Sequence, residues 1–277
     1  MKQKWSEEKI ERLEREGRGK GTGADYKPWI QIADFSSLGK SRRVHSRKTG
    51  RVHHLLSDIE WHMFLMLEFS PRVLDIREQF PLPRADTQPL AAERSIKHPT
   101  YPGTRIPVVM TADFLVVSIV SGKKSLSAFS CKSQADSTNP RTLEKLELER
   151  AYFDNLGVAH HLVFDTALPR TKIANLEWLR GGAIDTDSDG YATSDWKRHA
   201  ERMIFDMQQR RSSVSLSEFC ANFDERTGAQ PGTGLRVARS LLWNGQLTTD
   251  LNQRDLAATP VSMFQVINHT SHGAREV

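Results

Sequence analysis

The stretch that decides the fold runs through Met110 to Val120 (MTADFLVVSIV), Ser121-Gly122-Lys123-Lys124 and Ser125 to Lys132 (SLSAFSCK). Two apolar runs around a short polar segment with a glycine read as a β-hairpin. Glycine at the first central position suits a two-residue type II′ turn, so Gly122 and Lys123 are expected at the tip. That register sets Asp113 directly opposite Lys132, with both side chains on one face. As a plain cross-strand ion pair the two contribute about a few tenths of a kcal/mol.

The 277 residues suffice for two domains, each burying its own core, expected at 1–168 and 169–277. With 38% hydrophobic and 26% charged residues the composition is that of a globular protein. Lys plus Arg exceeds Asp plus Glu by 39 to 34, a net +5, which permits a polyanionic partner. Two cysteines, Cys131 and Cys220, form neither a disulfide framework nor a zinc spacing, so a reducing compartment is expected. Met1-Lys2-Gln3-Lys4 opens no apolar signal region and no run reaches membrane-spanning length, which points to the cytoplasm, with no membrane partner.

Upstream, residues 6–16 read as a charged helix whose apolar stripe, Ile10 and Leu13, docks on something larger. Gly17, Gly19, Gly21 and Gly23 alternate with basic residues as a flexible linker. The run Lys40 to Arg51 is a solvated hairpin or loop, or a phosphate-contacting surface through Arg42, Arg43, Lys48 and Arg51. Ser57-Asp58-Ile59-Glu60 opens a helix to Phe69, and Ser57 with Glu60 satisfies the Ser-x-x-Glu capping box, a purely structural role for Glu60. Val73 to Leu82 alternates as a strand with Leu74, Ile76, Glu78 and Phe80 on one side. Residues 84–107 read as a long loop.

Beyond the hairpin, a helix follows Pro140 and stops at Gly157, and Val158 to Phe164 is a short strand. Glu144, Glu147 and Glu149 read as a solvated helix face, with Glu149 the one to test as a ligand. Helix, strand, hairpin, helix, strand makes an α/β layer with a mixed sheet. Further on, Asp185 to Gly190 copies half of an EF-hand loop, but Trp196 stands where a bidentate Glu belongs. Helices near 195–211, 216–226 and 233–243 precede strand-like Gln246–Leu251 and Val261–Ile267, a winged-helix-like pattern in which Arg236 and Arg239 face DNA or a protein partner.

Asp113, then Ser130-Cys131-Lys132 about nineteen residues later, resembles the Asp...Glu/Gln-x-Lys signature of restriction-endonuclease-like nucleases. The blocks Gly50 to Glu60 (GRVHHLLSDIE), Val73 to Leu82 (VLDIREQFPL), Asp113 to Val116 (DFLV) and Thr142 to Arg150 (TLEKLELER) resemble the TnsA family. Its members are endonuclease subunits of heteromeric cut-and-paste transposases. The resemblance implies a restriction-endonuclease-like catalytic domain with Glu60, Asp113 and Lys132 as the catalytic set. It implies Mg²⁺ or Mn²⁺ held by Glu60, Asp113, the Cys131 carbonyl and Ser130, where Gln is usual. It further implies double-stranded DNA at transposon ends as substrate, cut at the 5′ ends. A partner transposase of the TnsB type would process the 3′ ends, with an ATP-dependent regulator of the TnsC type, and the assembled protein would be nucleoid-associated. Two rival readings are a stand-alone restriction-like nuclease and a catalytically inert assembly subunit, the latter motivated by Ser130 and by the capping role of Glu60.

Overall fold

The structure is a computed structural model that describes residues 5–34, 40–183, 193–209 and 213–267. The chain divides into two compact units, Met1–Leu168 and Pro169–Val277.

The first unit is built on a mixed four-stranded sheet of β3 (Val73–Leu82), β4 (Met110–Val120), β5 (Lys123–Lys132) and β6 (Ala159–Phe164), in that spatial order. β3 pairs with β4 and β4 with β5 antiparallel, and β6 is parallel to β5. The β5–β6 crossover carries α4 (Pro140–Asn155), as a parallel connection requires. Asn139 caps α4 by accepting from the amides of Arg141 and Thr142, Pro140 fills the first turn, and Gly157 leaves it at φ +65°.

Ahead of the sheet stand α1 (Glu7–Arg15), the hairpin β1 (Arg42–Ser46) and β2 (Arg51–Leu55), and α2 (Asp58–Phe69). The stripe of α1 docks within its own chain, where Ile10 and Leu13 pack on Trp29, Tyr101 and Val109. The glycine-rich segment is no flexible linker. Its Gly19 amide bonds to Lys27, Gly23 donates to Asp75, and a side chain at Gly19 would meet the Pro81 ring at 2.2 Å.

Three local expectations are corrected. Residues 84–107 include a helix, α3 (Arg84–Glu93), despite Pro89 inside it. Leu90 and Ala91 reach the core formed with Leu148, Ala151 and Phe153 of α4, and that burial outweighs one lost backbone bond. The hairpin closes with Val120 opposite Lys123, so the loop is Ser121-Gly122. Both have positive φ, +51° and +76°, which is the type I′ turn and not the type II′. In β3 a bulge between Val73 and Asp75 turns Leu74 out to solvent while Ile76 and Glu78 stay buried.

The second unit contains α5 (Arg170–Gly182), α6 (Thr193–Gln209), α7 (Leu216–Thr227) and α8 (Thr233–Trp243) around Leu179, Met203, Phe219, Phe223 and Leu241. Buried Asp224 accepts from the amides of Gly232 and Gly234 at 2.7 and 2.6 Å and so fixes the start of α8. The strands expected after it shrink to β7 (Leu247–Thr248) and β8 (Gln265–Val266), and Val261–Met263 forms a 3₁₀ turn. Arg239 stacks its guanidinium 4.6 Å from the Trp178 ring and bonds to the Trp178 carbonyl, while Arg236 is half-buried. The half EF-hand sequence lies outside the described residues.

Candidate active site

Asp113 and Lys132 meet, although the register that predicted their meeting was two residues off. The ladder between β4 and β5 runs from the turn to Phe114 opposite Phe129, which carries Asp113 toward Ser130 and makes Lys132 a diagonal neighbour. A shift of two preserves the face of each side chain, because strand side chains alternate with period two. The Lys132 Nζ donates to Asp113 Oδ2 at 3.0 Å and to the Cys131 carbonyl at 3.1 Å. The Cys131 amide donates to the same Asp113 oxygen at 2.6 Å. The carboxylate thus stands where the next ladder bond would be, and Lys132 keeps 27% of its side chain exposed.

Glu60 takes up its structural role at the start of α2 and also lies close to the pair electrostatically. Its amide donates to Ser57 Oγ, and its own oxygens accept from Ser57 Oγ at 3.0 Å and the Leu56 amide at 2.9 Å, so the cap forms with its return bond shifted to the amide before Ser57. The carboxyl is also only 6% exposed and lies in the field of Asp113 and Lys132. Burial, then the Asp113 charge, push it up to about 8, against the pull of the cap hydrogen bonds and of Lys132.

Glu149 is not on a solvated face. It occupies the inward stripe of α4 with Leu146 and Phe153, at spacings of three and four residues, and is 6% exposed. Burial and the Asp113 charge push its carboxyl up to about 7, opposed by Lys132 and by a hydrogen bond from Ser130. Burial alone would depress Lys132, but Asp113 and Glu149 hold its ammonium above the ordinary lysine range. Burial raises the Cys131 thiol well above its usual range, so it is an inert neighbour.

Two residues the sequence did not flag complete the surroundings. Gln79, buried at φ +48° in β3, accepts from Thr111 Oγ1 at 3.1 Å and donates to Glu60 Oε2 at 3.4 Å. His160 of β6 lies 2.9 Å from Ser130 Oγ, and burial depresses its ring below the usual histidine range. The positive φ of Gln79 and the partners of His160 are tertiary facts with no sequence signal.

Of the four cations proposed for DNA, two are committed inside the fold. Arg51 forms a two-pronged pair with Glu78, at 2.8 and 2.5 Å, and donates to the Ile76 carbonyl. Lys48 donates to the Ser70 and Val73 carbonyls at 2.8 Å each, closing the passage from α2 to β3. Arg42 pairs with Asp58 at 2.8 Å and lies over Trp61, and Arg43 is exposed. Glu78, placed near the site by its face in the sequence, is 0% exposed and also takes His53 Nδ1 at 2.7 Å.

Two buried carboxyls and Asp113 lie around the Lys132 ammonium, with Lys145 also acting on Glu149, and oxygen donors of this kind suit a hard cation. Among the described residues, no group of three His, Cys, Asp or Glu side chains is placed to hold a metal ion by itself.

Residues 70–165 match the family described as TnsA-like endonuclease N terminal, and residues 168–251 match TnsA endonuclease C terminal. Asp113, Ser130, Lys132 and Glu149 fall within the first match, and Glu60 precedes it. The chain is 45% identical to the Transposon Tn7 transposition protein TnsA of Escherichia coli over 271 residues, covering 95% of this chain and 94% of that protein. With a mixed α/β sheet, an acid–lysine pair at its splayed strand end and likeness along nearly the whole length, this chain belongs to the TnsA endonuclease family.

Proposed function

We propose that this endonuclease cuts the non-transferred strand at the 5′ ends of a transposon, by direct hydrolysis of the phosphodiester. A TnsB-type transposase would process the 3′ ends and a TnsC-type ATP-dependent regulator would gate the assembly, on DNA in the cytoplasm. The observation that carries the reading is the Asp113–Lys132 pair at the open end of β4 and β5, with Glu60 buried in the same field.

Mg²⁺ or Mn²⁺ is the proposed cofactor, held by Asp113, Glu60 and the Cys131 carbonyl. Such an ion supplies Lewis-acid chemistry, easing deprotonation of water and neutralising charge on the phosphate. Lys132, kept charged by Asp113 and Glu149, is placed to orient the attacking water or stabilise the pentavalent phosphorus. Asp113 holds Lys132 and the Cys131 amide together, which fixes the end of β5 on which both depend. No side-chain nucleophile is required; water attacks the phosphorus and the 3′ oxygen leaves, giving a 5′-phosphate and a 3′-hydroxyl. Arg42 and Arg43 are the proposed backbone contacts, Arg42 as a shared partner of Asp58.

The test is a nicking assay on element-end DNA with the partner transposase and Mg²⁺. Asp113→Ala should reduce cutting by more than about a hundredfold while the partner still processes 3′ ends. Cutting without the partner would favour a stand-alone nuclease. Transposition unimpaired by Asp113→Ala would establish an inert assembly subunit.

A further inference from the structure

Ser130 stands on β5 two residues before Lys132, with its side chain fully buried. Its hydroxyl touches two groups: it donates to Glu149 Oε2 in a short contact, and it lies 2.9 Å from Nε2 of His160. A hydroxyl carries one hydrogen. With that hydrogen given to Glu149, the bond to His160 forms only if the ring donates, which fixes His160 in its Nε2–H form. The ring is held for this by stacking on Phe153 of α4, with centroids 5.5 Å apart and planes 22° apart. His160 is itself anchored in β6, whose register sets it beside Ala128, and Ser130 beside Leu162. One strand, its parallel neighbour and the crossover helix therefore converge on a single carboxyl, and that carboxyl shares its field with Asp113 and Lys132.

We infer that Ser130 and His160 are positioning residues that hold Glu149 beside Asp113 and Lys132, and that Ser130 affects the reaction through Glu149 and not as a ligand of the divalent ion. The hydroxyl's hydrogen and one lone pair are already engaged within the fold. Its burial leaves it no path to solvent, whereas Lys132 is partly open. The inference rests on the endonuclease reading above.

The test uses the full chain with its partner transposase for single-turnover nicking, and the full chain alone for Mn²⁺ binding followed by the paramagnetic resonance of the free ion. Ser130→Ala and His160→Leu should each slow nicking by about 10–100-fold, the usual effect of removing a group that orients a site carboxylate. Ser130→Thr, which keeps the hydroxyl, and His160→Gln, which keeps an N–H donor, should restore most of that loss. Ser130→Ala placed on Glu149→Gln should cost nothing further, since both act through one group. Mn²⁺ affinity should survive Ser130→Ala and be lost in Asp113→Ala. The inference is overturned if the Ser130→Ala and Glu149→Gln losses multiply, or if Ser130→Ala abolishes Mn²⁺ binding as Asp113→Ala does. Ser130→Ala nicking at the wild-type rate while Asp113→Ala is dead sinks this inference alone. Asp113→Ala nicking at the wild-type rate sinks the endonuclease reading and this inference with it.

Discussion

Glu78 lies in β3, one residue from Gln79, and Gln79 in turn touches Glu60, so two buried acids sit close together in one unit. Around Glu78 the fold gathers the guanidinium of Arg51, the ring of His53 and the amide of His54. Burial would raise that carboxyl, yet its hydrogen bonds with Arg51 and His53 hold it down to about 2. Glu60 and Glu149 are nearly as deep, but receive neutral donors and a share of Lys132, and they are pushed up to about 8 and about 7. On the function proposed above, the two acids left short of partners are where a positive charge from outside would arrive. The contrast sets a structural acid apart from the two proposed to serve the reaction.

The largest effect that sharpens the contrast is on stability. Arg51→Met leaves Glu78 without its main partner and should cost about 3–5 kcal/mol in urea unfolding. Glu60→Gln and Glu149→Gln, each removing an under-neutralised acid, should instead raise the stability of the metal-free protein by about 1–2 kcal/mol, while reducing nicking. Destabilisation of similar size in all three variants would erase the distinction.

The pH dependence of the two regions should have opposite signs. Glu60 and Glu149 bind protons more tightly folded than unfolded, so their contribution is present below about 4.5 and is lost as pH rises through about 7 and 8. Glu78 contributes stability that is present above about 4.5 and is lost as pH falls toward about 2. The Tm of metal-free protein should therefore drop between pH 5 and 8 more steeply than that of the Glu60→Gln/Glu149→Gln double variant, and millimolar Mg²⁺ should flatten the drop. A slope unaffected by both would break the comparison. The smallest effect concerns the turn. Ser121→Asn, placing Asn-Gly in a type I′ loop, should stabilise by about 0.5 kcal/mol, and a loss would contradict the observed turn.

Much of this was legible in the sequence because it is local. The cap at Ser57, the stop before Pro71, the extended run of Val73–Leu82 and the paired apolar runs of the hairpin each follow from neighbours in the chain. Asp113 and Lys132 survived a misjudged turn because an error of two leaves strand faces unchanged. What local patterns could not supply was the identity of distant partners. Arg51 and Lys48 look like phosphate contacts in a basic run until Glu78 and two carbonyls claim them. Pro89 hid α3, since only the packing of Leu90 and Ala91 on α4 makes that helix worthwhile. Glu149 did carry a signal, its place on the same helical stripe as Leu146 and Phe153, and the charged residues beside it masked that spacing.

The central claim is that positive charge arrives where buried acids lack it. A crystal of the full chain soaked in Mn²⁺ and measured at the manganese absorption edge tests this directly. The account predicts an anomalous peak beside Asp113 and Glu60, with none at Glu78. A protein that nicks DNA in the same Mn²⁺ while the map is empty beside Asp113, or carries its peak elsewhere, would contradict it.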